Sequence, residues 1–60
     1  MKKRDLERIL RGLGWRLLRQ GGSHEIWTNG TETESIPRHV EVNEMVARAI
    51  LKRVRKHHES

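Results

Sequence analysis

The chain contains no cysteine, no tyrosine and no phenylalanine, and only one proline and two tryptophans. Without cysteine there is no disulfide framework and no thiolate zinc site, so packing or a partner must support the fold, in keeping with a cytoplasmic location. Two aromatic residues are too few for a base-stacking single-strand platform. No apolar run approaches the ~20 residues that span a bilayer, and no charged-then-apolar leader opens the sequence, which removes membrane and secretory readings. At 60 residues the chain is one small domain, residues 1–60, that buries only roughly 60% of its unfolded surface. An enclosed cofactor cleft is not expected, and no cofactor is implied.

Charge is present in abundance and is segregated. The net charge is +5. Residues 1–20 carry seven Lys and Arg against Asp5 and Glu7, residues 21–45 carry Arg38 against five glutamates, and residues 46–60 carry five cations against Glu59. The ends are basic and the middle acidic, so a polyanion is drawn to the terminal segments. Two solvated helix faces would look the same on charge alone.

Leu6, Ile9, Leu10 and Leu13 fall at i, i+3, i+4 and i+7, which predicts an amphipathic helix over about residues 4–13 with Arg4, Arg8 and Arg11 on its polar side. Gly14 stands at the left-handed C-cap position. Residues 15–20 and 23–28 read as strands, and Asn29-Gly30 as a two-residue type I′ turn into a third strand over residues 31–36. Pro37 ends that ladder because it offers no N–H. Asn43 caps a final helix with Val46, Ala47, Ile50, Leu51 and Val54 on one face and Arg48, Lys52, Arg55 and Lys56 on the other. His57, His58, Glu59 and Ser60 read as a frayed tail. The order α-β-β-β-α makes an α+β fold with two helices on one face of a three-stranded antiparallel sheet.

A two-residue turn sets Trp27 opposite Glu32, Ile26 opposite Thr33 and Glu25 opposite Glu34. Trp27 then shares a face with three glutamates, so its bulk argues for burying that face while the carboxylates argue for burying Ile26 and His24 instead. The sequence leaves this open.

Gly21-Gly22-Ser23-His24 sets an imidazole at the start of a strand, behind a turn that allows close backbone approach. Neutral imidazole takes and returns a proton near cellular pH, as cleavage through a ribose 2′-hydroxyl requires, although the same His24 could simply hydrogen-bond in a turn. Arg38 and His39, just past the third strand, would come near His24 and could supply phosphate stabilisation and an acid. No histidine spacing suits a metal, and phosphate-cradling glycine loops and serine nucleophile elbows are absent.

Several of these residues together resemble one family. Gly14-Trp15, Arg19-Gln20-Gly21-Gly22-Ser23-His24, Trp27, Ile36-Pro37-x-His39 and Ala49-Ile50-Leu51-Lys52 are similar to the HicA toxins of bacterial HicA/HicB toxin-antitoxin pairs, over nearly the whole chain. The resemblance implies a fold like the double-stranded RNA-binding domain. It also implies a translation-independent, metal-independent mRNA interferase, an endoribonuclease that stops translation by cleaving mRNA, with His24 as its catalytic histidine. A HicB-like antitoxin is expected to cover His24. Arg4, Arg8, Arg11, Arg16 and Arg19 are the expected RNA contacts, with Ser23, Arg38 and His39 as accessory residues. The family pattern is strained at one place: Glu32 and Glu34 in the third strand would repel phosphate if they lay near His24. The alternative is a non-catalytic double-stranded-RNA-binding module that uses the same basic residues without cleaving.

Overall fold

A computed structural model describes residues 1–59 in backbone and 1–57 in side chain, and it has the expected order: α1 (Lys3–Gly12), β1 (Arg16–Gln20), β2 (His24–Thr28), β3 (Thr33–Pro37) and α2 (Glu44–Glu59). Leu6 and Leu10 of α1 are fully buried, with Ile9 and Leu13 packed at the margin. The helix stops as its sequence dictates. Gly14 takes φ +87°, its N–H donates to Arg11 O at 3.1 Å, and Trp15 N–H donates to Leu10 O at 2.9 Å. This pair of bonds is a Schellman motif, which returns the chain so that Trp15 caps the core instead of opening β1.

The sheet is antiparallel in the order β1-β2-β3. Both helices pack on one face of it, where Trp27 and Ile36 meet Leu6, Leu10, Ile50 and Val54. Each of these side chains contributes about 1.5–3 kcal/mol by leaving water. Asn43 caps α2 as expected, its Oδ1 accepting from Met45 N–H at 2.9 Å and Val46 N–H at 3.4 Å. An antiparallel bridge joins Lys2 to Glu41, with Lys3 N–H donating to Val40 O and Val42 N–H to Met1 O, both at 2.8 Å. It ties the start of α1 to the segment entering α2. Among the described residues no helix is long and apolar enough to cross a membrane.

Three details differ from the sequence reading, and one that it left open is settled. The β2–β3 turn is not the two-residue type I′: Thr28 pairs with Thr33 and Trp27 with Glu34, so residues 29–32 form the loop and the third strand begins at Thr33. The reason is Asn29. Its Oδ1 accepts the amide hydrogens of Thr31 at 2.9 Å and Glu32 at 2.7 Å, so an Asx-type turn replaces the left-handed backbone and only Gly30 has positive φ. The shift is two residues, which leaves each side chain on its own face. Trp27, not Ile26, faces the core, and Glu25 goes in with it. Val46 lies outside the apolar stripe of α2, 42% exposed. His57 is no frayed residue: α2 continues through it, and its ring lies 5.9 Å from that of Trp15 while Nε2 meets Glu34 Oε2 at 3.1 Å. The side chains of His58 and Glu59, and Ser60 altogether, lie outside the described residues.

Candidate active site

The β1–β2 turn is held from three sides. Gly21 N–H donates to His24 O at 2.8 Å, and a Cβ at Gly21 would stand 3.0 Å from that same carbonyl, so only glycine fits without moving backbone. Arg38 Nη1 donates to Gly21 O at 2.9 Å and Gly22 O at 3.2 Å, and Arg38 N–H donates to Ser23 O at 3.0 Å. The guanidinium therefore clamps the turn that presents His24. Ser23 Oγ lies 3.1 Å from His24 Nδ1. In the tautomer where the hydroxyl donates to Nδ1, the proton sits on Nε2; where Nδ1–H donates to Oγ, Nε2 is a free base. Either way Nε2 is the nitrogen left for a ligand. His24 is exposed on the sheet face away from the helices.

A bulge sets the company His24 keeps. β1 pairs Arg16 with Thr28 and Leu17 with Trp27, then Arg19 with Ile26 and Gln20 with Glu25, so Leu18 is the extra residue. Residues directly opposite share a face. Unbroken alternation would turn Arg19 toward the helices along with Leu17, whereas the bulge returns it to the face of Arg16, Ile26 and His24. A shallow depression of about 450 Å³ lies here, with Arg19, Ser23, His24 and Ile26 in its walls.

The other arginines in the sequence reading divide. Arg11 places its guanidinium 5.0 Å from the Trp27 ring centroid on the helix side, and Arg8 reaches Asp5 at 3.5 Å. Arg4 and His39 line a second depression of about 440 Å³ with Lys2 and Arg38, so the structure brings Ser23 and Arg38 to the His24 turn but puts His39 in this other groove.

The three acids of the β2–β3 hairpin face away from His24. Glu25 Oε1 accepts from Lys3 Nζ at 2.7 Å and from Trp27 Nε1 at 2.9 Å. Burial pushes the Glu25 carboxyl up, but the hydrogen bonds from Lys3 and Trp27, with the charges of Lys3 and Arg38, outweigh it and hold the group below the usual range. Glu34 is held by Arg53 Nε at 2.9 Å and His57 Nε2 at 3.1 Å on the helix side. Glu32 sits in the loop at the other end of the hairpin. Neither Glu32 nor Glu34 opposes phosphate near His24. Every acid of the described residues except Glu32 has a basic group within 4.0 Å. By contrast the side chains of Lys2, Arg4, Arg16, Arg19, Lys52, Arg55 and Lys56 have no ion-pair, hydrogen-bond or ring partner among the described residues. Folding thus turns a mixed charge pattern into a surface whose free charges are almost all positive. The sequence reading passed over Lys2: Asp5 stands at i+3 from it, but α1 begins only at Lys3 and Asp5 pairs with Arg8 instead.

No curated protein and no solved structure gives a significant match to the chain. The family model for the HicA toxin of bacterial toxin-antitoxin systems matches residues 4–55, which takes in both helices' cores, the bulged strand and the His24 turn. The chain belongs to the HicA toxin family.

Proposed function

We propose that this toxin is a metal-independent mRNA interferase, an endoribonuclease with His24 as its catalytic residue. The observation that carries the reading is the exposed His24 imidazole, oriented through Nδ1 by Ser23 and set beside Arg19 on an open face free of carboxylates. With RNA across that face, Nε2 takes the proton from a ribose 2′-hydroxyl. The 2′-oxygen then bonds to phosphorus, the bond from phosphorus to the 5′-oxygen breaks, and His24 returns its proton to that oxygen, leaving a cyclic phosphate and a 5′-hydroxyl. Arg16 and Arg19, without an ion-pair or hydrogen-bond partner among the described residues, bind the phosphate and its developing charge. Shape and 2′-hydroxyl contacts supply most of the recognition. A HicB-like antitoxin that covers His24 would silence the toxin in the cytoplasm, and so small and open a site is readily blocked.

The test is induced expression of wild type and His24→Ala, with cellular mRNA followed directly and the purified proteins assayed with and without EDTA. Growth arrest and mRNA loss with wild type in EDTA, both absent for a folded alanine variant, are expected. Equal degradation by His24→Ala would remove His24 from the chemistry, and RNA binding without cleavage by wild type would favour the non-catalytic double-stranded-RNA-binding reading. Loss of cleavage in EDTA would point to a metal mechanism.

A further inference from the structure

The second groove runs alongside the His24 depression. Arg38 lines the one, and the carbonyls it holds, Gly21 and Gly22, line the other, so the two depressions meet at this clamp. The groove carries Lys2, Lys3, Arg4 and Arg38 against Glu7 and Glu25, four cations to two carboxylates, a net +2 before His39 is counted. Its carboxylates are already satisfied: Lys3 Nζ holds Glu25 at 2.7 Å and Glu7 at 3.2 Å. What faces solvent unneutralised is Lys2 and Arg4, with the exposed His39 ring beside them.

We propose that this groove is a binding subsite for the sugar-phosphate backbone of the RNA strand that reaches His24, with Lys2, Arg4 and His39 as its contacts. The inference rests on the reading that RNA lies over His24 and extends it beyond the reacting phosphate. An open trough, reached from the site across the Arg38 clamp and carrying free ammonium and guanidinium groups, suits a polymer that enters at one end and leaves at the other. Lys2 and Arg4 attract phosphate oxygens as charges, and His39 donates a ring N–H to them even when neutral. The groove assigns His39 a binding role in place of the proton transfer suggested by its position in the sequence. The α2 stripe of Lys52, Arg55 and Lys56 also lacks partners among the described residues, but no described residue links it to the His24 depression.

The experiment measures binding of a short and a long oligoribonucleotide over a range of salt, each with its bridging 5′-oxygens replaced by methylene groups, which keeps every 2′-hydroxyl and resists cleavage. The short one fills the His24 depression alone. The triple variant Lys2→Ala, Arg4→Ala, His39→Ala should lose on the order of tenfold in affinity for the long oligonucleotide, with the salt slope smaller by roughly 0.7 for each phosphate contact removed. It should bind the short one as wild type does. Lys52→Ala, Arg55→Ala, Lys56→Ala, which removes at least as much charge from α2, should leave both affinities near wild type. An unchanged long-oligonucleotide affinity in the groove variant overturns the proposal, and so does an equal loss in the α2 variant, because net charge alone would then be responsible. All of these side chains point to solvent, and a urea titration followed by tryptophan fluorescence verifies that each variant is folded. If wild type fails to cleave RNA yet the length-dependent loss appears, the subsite stands and the catalytic reading falls.

Discussion

Replacing Lys3 with methionine keeps the apolar stem and removes the ammonium that balances Glu25. The side chains of Lys3 and Glu25 are 11% and 8% exposed, so water cannot take over the lost interaction. Breaking one side of such a buried pair costs about 3 kcal/mol, taking the low end of the usual range because Arg38 still lends its charge. A chain of this size holds a margin of only about 3–5 kcal/mol, so Lys3→Met should be nearly unfolded at ambient temperature, with its thermal midpoint lower by more than about 12 °C. Glu25→Gln removes the charge from the other side. Its amide oxygen still accepts from Trp27, and Lys3 keeps Glu7 at 3.2 Å, so the cost is nearer 1 kcal/mol. The pH dependence separates the two further. The folded state depresses the Glu25 carboxyl, so its contribution is present above the unfolded glutamate range and is lost as pH falls through the folded value. In Glu25→Gln that acid loss should flatten. In Lys3→Met the Lys3 hydrogen bond and charge are gone, burial counts for more, the folded carboxyl moves up, and the loss of stability on acidification should shrink. Both tryptophans are buried, so fluorescence during urea denaturation at several pH values reports the transition. Equal midpoints for the two variants, or an unaltered pH slope in Lys3→Met, would refute the reasoning.

Arg11→Ala and the pair Arg16→Ala, Arg19→Ala should behave oppositely. Loss of the Arg11 contact with the Trp27 ring costs about 0.5–1 kcal/mol of stability and leaves RNA affinity alone, while the double variant keeps its midpoint and loses roughly 0.7 in salt slope per phosphate contact, read by filter binding. Asn43→Ala, which strips two amide partners from the start of α2, should destabilise by about 1 kcal/mol in urea titration. Gly21→Ala forces the His24 carbonyl to move, so amide chemical shifts around residues 21–24 should change and cleavage should fall more than stability does.

The helices were legible because their signals are local. Leu6, Leu10, Gly14 and Asn43 each act within one turn of backbone, and each sits where the 3.6-residue period and capping chemistry place it. The strand count was equally plain. What the sequence could not display were choices made by side chains against a local rule. Asn29 spends its carbonyl on Thr31 and Glu32 and lengthens a turn that the Asn-Gly pair predicts to be short. Glu25 goes into the core beside Trp27 because Lys3, 22 residues away in the chain, reaches it. That long-range bond, with Trp27 Nε1 donating to the same oxygen, lets the Trp27 face of β2 go inside. His24 was picked out by its Gly-Gly-Ser approach, and the turn does present it, but its clamp by Arg38 and the return of Arg19 to its face depend on tertiary pairing and on one inserted residue.

That inserted residue has a consequence for the chain in a crowded solution. β1 lies at the border of the sheet, with Leu17 and Leu18 37% and 55% exposed and one side of its backbone without a neighbouring strand. A straight apolar border of this kind is a template on which a second molecule can lay its own strand, and repetition leads to fibres. Leu18 breaks the even spacing of donors and acceptors partway along, so an incoming strand finds its register interrupted after two residues. The kink that delivers an arginine to the His24 face therefore also works against strand addition at this border.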